Sequence, residues 1–165
     1  KVSYEKLEIK DKKKDLEIIR DEISMLLSQS NINYLKGKTI EISHHYGLGE
    51  FDKYGSTLIT LINDKYCKKI IIMLPGQENP EHYHKKKQES FLMVYGDLTV
   101  NLENKQHNLE PGNILHIPLT HKHSFRSEKG AVFEEISTTH FSDDSFYTDE
   151  KINTNKNRKS YIPLI

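Results

Sequence analysis

GQENPEHYHKKKQESFLMVYG, residues 76–96, carries the residues on which the fold and the chemistry turn. His82 and His84 are one residue apart, so on a strand both imidazoles project to the same face. Glu89 follows five residues after His84, the distance a chain needs to turn into the next strand. On that strand Lys87 and Glu89 share one face, and Gln88 and Ser90 take the other. His123 comes later, after Pro111-Gly112 and the segment ending Ile117-Pro118. Three imidazoles and a carboxylate are a donor set for one divalent transition metal: Mn, Fe, Co, Ni or Zn. An all-oxygen calcium or magnesium site would not use three histidines.

Around this stretch the chain reads as short strands: Thr39–Ser43, Thr57–Ile62, Lys68–Leu74, Ser90–Tyr95, Leu98–Leu102, Asn113–Ile117 and Ala131–Thr138. They are rich in Ile, Val, Thr and Phe and are punctuated by Pro75-Gly76, Gly96-Asp97 and Pro111-Gly112. Such spacing implies a β sandwich or barrel. No internal repeat is present, so one barrel is expected over residues 39–142. Residues 1–38 form an N-terminal helical extension, in which Leu16, Ile19, Ile23, Leu26 and Leu27 recur at helical spacing from Asp15 to Ser28. Lys12-Lys13-Lys14 reads as a solvated helix start. Residues 143–165 form a C-terminal tail whose apolar end suits docking on the barrel or on a partner subunit.

Composition bounds the partners. Lys+Arg and Asp+Glu both number 24 in 165 residues. This balance offers no electrostatic reason to bind nucleic acid or an anionic membrane. Lys1 to Glu5 lack the apolar run of a signal peptide, and the single cysteine, Cys67, suits a reducing compartment. A cytoplasmic protein is therefore expected. Nine histidines in a chain of this size invite the search for metal ligands.

Gly76, His82-x-His84, Glu89 and Gly96 together resemble the first cupin motif. Pro111-Gly112, Ile117-Pro118, His123 and Phe125 resemble the second. Thr120, where the family often has glycine, and Asn113, where it usually has aspartate, are departures. The resemblance implies an all-β fold, a single cupin jelly-roll barrel, with the metal inside it on His82, His84, Glu89 and His123. The family pattern places the last ligand five residues after Pro118, which selects His123 over His121. His121 then falls at the entrance as a substrate-binding candidate. His116 is expected to be an ordinary sheet histidine.

A narrower resemblance rests on His44-His45-Tyr46-Gly47, Tyr66-Cys67-Lys68-Lys69, Leu74-Pro75-Gly76-Gln77 and Glu134–His140. These segments are similar to the cupin domain found with sialic-acid-synthase-like enzymes. More loosely they are similar to D-lyxose isomerase-type cupins, which pair the metal motif with a lysine two residues before the glutamate. Here that lysine is Lys87, and Glu135-Ile136-Ser137 and Asp143-Asp144 complete the likeness. The resemblance implies aldose–ketose isomerisation of a small sugar.

Such a reaction needs a Lewis acid and groups that move protons. Lys87 and Glu135 are the available pair, and a nearby cation should lower the pKa of Lys87. Lys87 could equally belong to a solvated lysine run, and Glu135 could face outward. Gln77 and Tyr95 are further substrate-binding candidates, or they close a turn and fill the barrel. His44-His45-Tyr46 could form a lid, and His140 could approach the site. Cys67 is expected to be a small buried residue. Two other functional classes stay open: a non-catalytic sugar-binding module acting beside a synthase, and an iron-dependent dioxygenase. Pairing of barrels through their sheets makes a homodimer the expected assembly.

Overall fold

The computed structural model describes the backbone of residues 4–165 and the side chains from Lys12 onward. Lys1–Ser3, part of the stretch read for a signal peptide, lie outside the described residues. Helix α1 spans Tyr4–Gln29 and starts well before the expected Asp15. The segment ahead of Asp15 has no apolar stripe to announce it, and Lys12–Lys14 are exposed residues within the helix, not at its start. Then come β1 (Thr39–His44), β2 (Gly55–Asn63), β3 (Tyr66–Met73), β4 (Glu78–Tyr83), β5 (Glu89–Gly96) and β6 (Leu98–Leu102). After these come β7 (Lys105–Leu109), β8 (Ile114–Ile117), β9 (His123–Arg126), β10 (Ala131–Thr138) and β11 (Phe146–Tyr147). Helix α2 (Glu150–Thr154) and β12 (Lys159–Pro163) end the chain.

The strands form two sheets, and the ladders within them are antiparallel. A seven-stranded sheet has the order β12-β1-β2-β3-β10-β5-β8, and a five-stranded sheet the order β11-β4-β9-β6-β7. They make the jelly-roll barrel. The helical extension lies outside it.

β3 shows how the core is divided. Ile70 and Ile72 pack with Ile23, Leu26 and Leu27 of α1, whereas the alternating Ile71 and Met73 face the barrel interior with Phe91 and Phe133. A strand buried on both faces reads as a continuous apolar run, as Ile70 to Leu74 does. Each of these buried side chains contributes roughly 1.5–3 kcal/mol of hydrophobic stabilisation. Gly96 turns the chain out of β5 at φ +81°, and a Cβ there would lie 1.9 Å from the Gly130 carbonyl oxygen. Only glycine fits.

The two departures from the cupin pattern have structural explanations. Asn113 accepts the Glu110 amide through Oδ1 at 2.8 Å, as an aspartate would. Thr120 adopts φ +67°, the left-handed conformation that glycine enters without strain. The tail enters the sheets: β12 pairs with β1, β11 pairs with β4, and Leu164 is buried. Among the described residues no helix is long and apolar enough to cross a membrane.

Candidate metal centre and its cavity

Four side chains converge inside the barrel. His82 ends β4 beside His123 of β9, its cross-strand partner. Pro80 sits at the irregularity between Asn79 and His82, where a strand tolerates proline. His84 follows β4 directly, and Glu89 opens β5. One donor atom from each of His82, His84, Glu89 and His123 lies within 4.8 Å of the others, and all four residues are buried.

The hydrogen bonds on the far side of each ring decide what faces inward. Nδ1 of His82 lies 2.9 Å from the Pro80 carbonyl oxygen. Nδ1 of His84 lies 2.7 Å from that of Asp144, and Nδ1 of His123 2.9 Å from that of His121. A carbonyl only accepts, so Nδ1 carries the hydrogen and a neutral ring turns its Nε2 lone pair inward. Glu89 Oε1 stands 2.9 Å from Nε2 of His123 and 3.5 Å from Nε2 of His84. Neither oxygen of Glu89 makes an aligned hydrogen bond, nor does Nε2 of His123. Lone pairs facing lone pairs at this range call for a cation between them. Burial works against a charge on His123, but the Glu89 carboxylate outweighs it and raises the pKa. His82 is held well below its ordinary value by burial and by His123 and His84. The donor set fits a divalent transition metal.

Lys87 and Glu135 both turn toward this centre. Lys87 Nζ lies 3.2 Å from Glu89 Oε2 and 3.3 Å from Glu135 Oε2, at 3% side-chain exposure. Lys87 is thus no member of a solvated run, and Glu134 is the outward residue, 3.4 Å from Lys68. Burial lowers the pKa of Lys87, but Glu135 and Glu89 together carry it above the ordinary value. Burial and the charge of Glu89 push Glu135 up.

Asp144, buried and remote in sequence, organises the loop between His84 and Glu89. Its carboxylate accepts the backbone N–H groups of Lys85 at 2.9 Å, Lys86 at 3.1 Å and Lys87 at 3.1 Å. Its carbonyl holds His84. The sequence flagged Asp143-Asp144 without a role; a carboxylate that binds backbone leaves no spacing signature. Tyr147 of β11 lays its ring 5.1 Å from that of His82 and places its hydroxyl 3.1 Å from His45 Nε2. Burial pushes its hydroxyl up to about 12.

Other candidates lie elsewhere. Gln77 is fully buried, accepting the Leu74 amide at 2.8 Å and donating to the Phe51 carbonyl at 2.6 Å; it closes a turn and does not line the cavity. Tyr95 packs in the cluster beneath α1. His121 supplies its carbonyl to His123 and is not part of the cavity wall. None of the three, each expected as a substrate-binding candidate, lies on the wall of the cavity beside the cluster. His44 bonds Ser160 at 2.9 Å and His45 is buried behind Tyr147, so neither forms a lid. His116 is exposed against Ser90, Cys67 is buried, and His140 lines the cavity. Sequence reasoning missed Lys69, Glu41, Asn79 and Arg158 on the wall.

Comparison with known proteins agrees with this geometry. Residues 69–137 match the profile of the Cupin domain, and the chain has the cupin jelly-roll fold. The curated proteins it resembles include isomerases. A D-lyxose/D-mannose isomerase of Thermosediminibacter oceani is 27% identical over 172 residues, covering 86% of this chain and 94% of that protein. A D-lyxose ketol-isomerase of Cohnella laeviribosi is 29% identical over 136 residues, covering 65% and 75%. The L-ribose isomerase of Cellulomonas parahominis, solved with L-psicose, superposes with a TM-score of 0.68 at 14% identity over 86% of this chain and 94% of that one. At that identity the likeness concerns the fold.

Proposed function

We propose that the protein is a metal-dependent aldose–ketose isomerase acting on a small sugar. The observation that carries the reading is Lys87, held between Glu89 and Glu135 beside the three-histidine cluster. The curated relatives, isomerases of D-lyxose and D-mannose, support it.

His82, His84, Glu89 and His123 would hold the metal. When bound, such an ion supplies Lewis-acid polarisation of the sugar's carbonyl. Glu135, as carboxylate, takes the proton from C2 of the open-chain aldose and returns it to C1. The C2–H bond breaks, the C1–H bond forms, and the O2 proton passes to O1. Lys87 hydrogen-bonds the oxygen on which negative charge gathers and steadies Glu135 as a carboxylate before the first transfer and after the second. The reading includes a homodimer, which a strictly monomeric mass by light scattering would remove.

The test is NMR in D₂O of metal-loaded protein with D-lyxose and D-mannose. Formation of the ketose, with solvent deuterium entering C2 of the recovered aldose, is the expected result. No conversion across an aldose panel, with sugar still bound, would leave a binding module.

A further inference from the structure

The cavity extends from the metal cluster across the seven-stranded sheet, and its charges do not balance. Lys87 meets Glu89 and Glu135, and Lys159 meets Glu41 at 3.0 Å. Two cations remain. Lys69 is 3% exposed, yet among the described residues its ammonium has neither a carboxylate within 4.0 Å nor a hydrogen bond. Glu135 is its cross-strand neighbour but turns its carboxylate to Lys87. Arg158 lines the same cavity, 5.1 Å from the Tyr147 ring centroid, and its Nε is buried without a partner.

We propose that Lys69 and Arg158 form an anion subsite, so that the sugar taken by this protein carries an acidic group, phosphate or carboxylate, distal to the metal-bound carbons. β3 lies two strands from β5, so Lys69 stands on the order of 10 Å from the strand of Glu89. That is the reach of an open sugar with a terminal acidic group. The cavity wall also offers the uncharged Ser56 and Asn79, suited to hydroxyls. A buried cation that must share its nearest carboxylate, Glu135, with Lys87 is costly, and a neutral sugar would leave that cost in place. Burial lowers the pKa of Lys69 for the same reason, and an anion against it reverses the effect. A divalent metal would add further positive charge to the cavity and strengthen its demand for an anion.

The inference rests on the isomerase reading only for which end of the sugar meets the metal, so its test uses ligands that cannot isomerise. Manganese-loaded protein is titrated calorimetrically with D-mannonate, D-mannitol 6-phosphate and D-mannitol. At least one acid should bind about 10–100-fold more tightly than D-mannitol, the range of a hydrogen bond to a charged group. The stronger of the two distinguishes a carboxylate from a phosphate source. Lys69→Met and Arg158→Met should each cut that preference about tenfold. Equal affinity for D-mannitol and both acids, or a preference untouched in both variants, overturns the subsite. Turnover of D-mannose, D-mannose 6-phosphate and D-mannuronate is followed in parallel. Tight acid binding with no turnover sinks the isomerase reading alone; D-mannose turned over as well as its acids sinks the subsite alone.

Discussion

The carbonyl of Asp144 lies 2.7 Å from Nδ1 of His84, a residue sixty positions earlier. The carboxylate of the same residue caps the amides of Lys85, Lys86 and Lys87. One residue of the tail thus orients a candidate ligand and the lysine proposed to stabilise the developing charge.

Asp144→Ala removes the carboxylate and leaves the carbonyl. The carboxylate fixes the loop that joins His84 to Glu89, and its loss should lower metal affinity by about tenfold, the low end for residues that support a metal site. Metal titration by calorimetry checks it. Asp144→Asn keeps one oxygen acceptor and should fall between the two. Wild-type affinity in Asp144→Ala would show that the loop holds its shape unaided.

His82→Ala and His123→Ala should each strip most of the metal from purified protein, whereas His116→Ala should leave it bound. Elemental analysis after dialysis decides. His116 sits on the outer face against Ser90 and touches nothing in the cluster.

Replacing Lys87 by Met or Glu135 by Gln should leave metal content intact, since neither belongs to the four-residue cluster. Turnover should fall about 10²–10⁴-fold, the usual contribution of a positioned proton-transfer group. Steady-state kinetics at metal saturation reads this out. Full activity in both variants would remove them from the chemistry.

Thr120 pays for its left-handed backbone, which costs an L-residue about 1–2 kcal/mol. Glycine relieves that strain but gives back about 0.5–1 kcal/mol in unfolded-chain entropy. Thr120→Gly should therefore stabilise the fold by roughly 0.5–1 kcal/mol, seen as a higher urea midpoint with an unchanged slope. A lower midpoint would mean that the threonine side chain holds the loop.

His45 is buried, and desolvation brings its pKa down to about 4, with Arg158, His44 and Lys159 nearby pressing the same way. The unfolded chain binds this proton near pH 6.5. The folded state thus loses stability as pH falls from about 6.5 to 4, by up to roughly 3 kcal/mol from this residue. Urea melts of metal-stripped protein should show the slope in that window reduced by about 1.4 kcal/mol per pH unit in His45→Asn. An unchanged slope would place the proton uptake elsewhere.

The centre was legible in the sequence because its ligands sit at short, fixed spacings: one residue from His82 to His84, five from His84 to Glu89. β6 was legible to the residue from alternating apolar side chains, and β10 from its run of apolar and β-branched residues. β7, the polar run KQHNL, and the first turns of α1 have no such pattern and were missed. Gln77 and Tyr95 were misplaced because proximity in sequence to the motif does not say which face a side chain takes. Lys69 was hidden inside the pair Lys68-Lys69, one outward and one inward, and Arg158 reaches the cavity only through the antiparallel return of β12 beside β1.

That return makes the ends of the barrel wall interdependent. The strap from Asp144 to Tyr147 contacts His84 and His82, and the chain beyond it closes the sheet through β12. Whatever free energy an ion gains from histidines oriented by the docked strap, the strap regains in resistance to peeling away. Proteolytic nicking between Phe141 and Asn157 would then report metal loading without any substrate present.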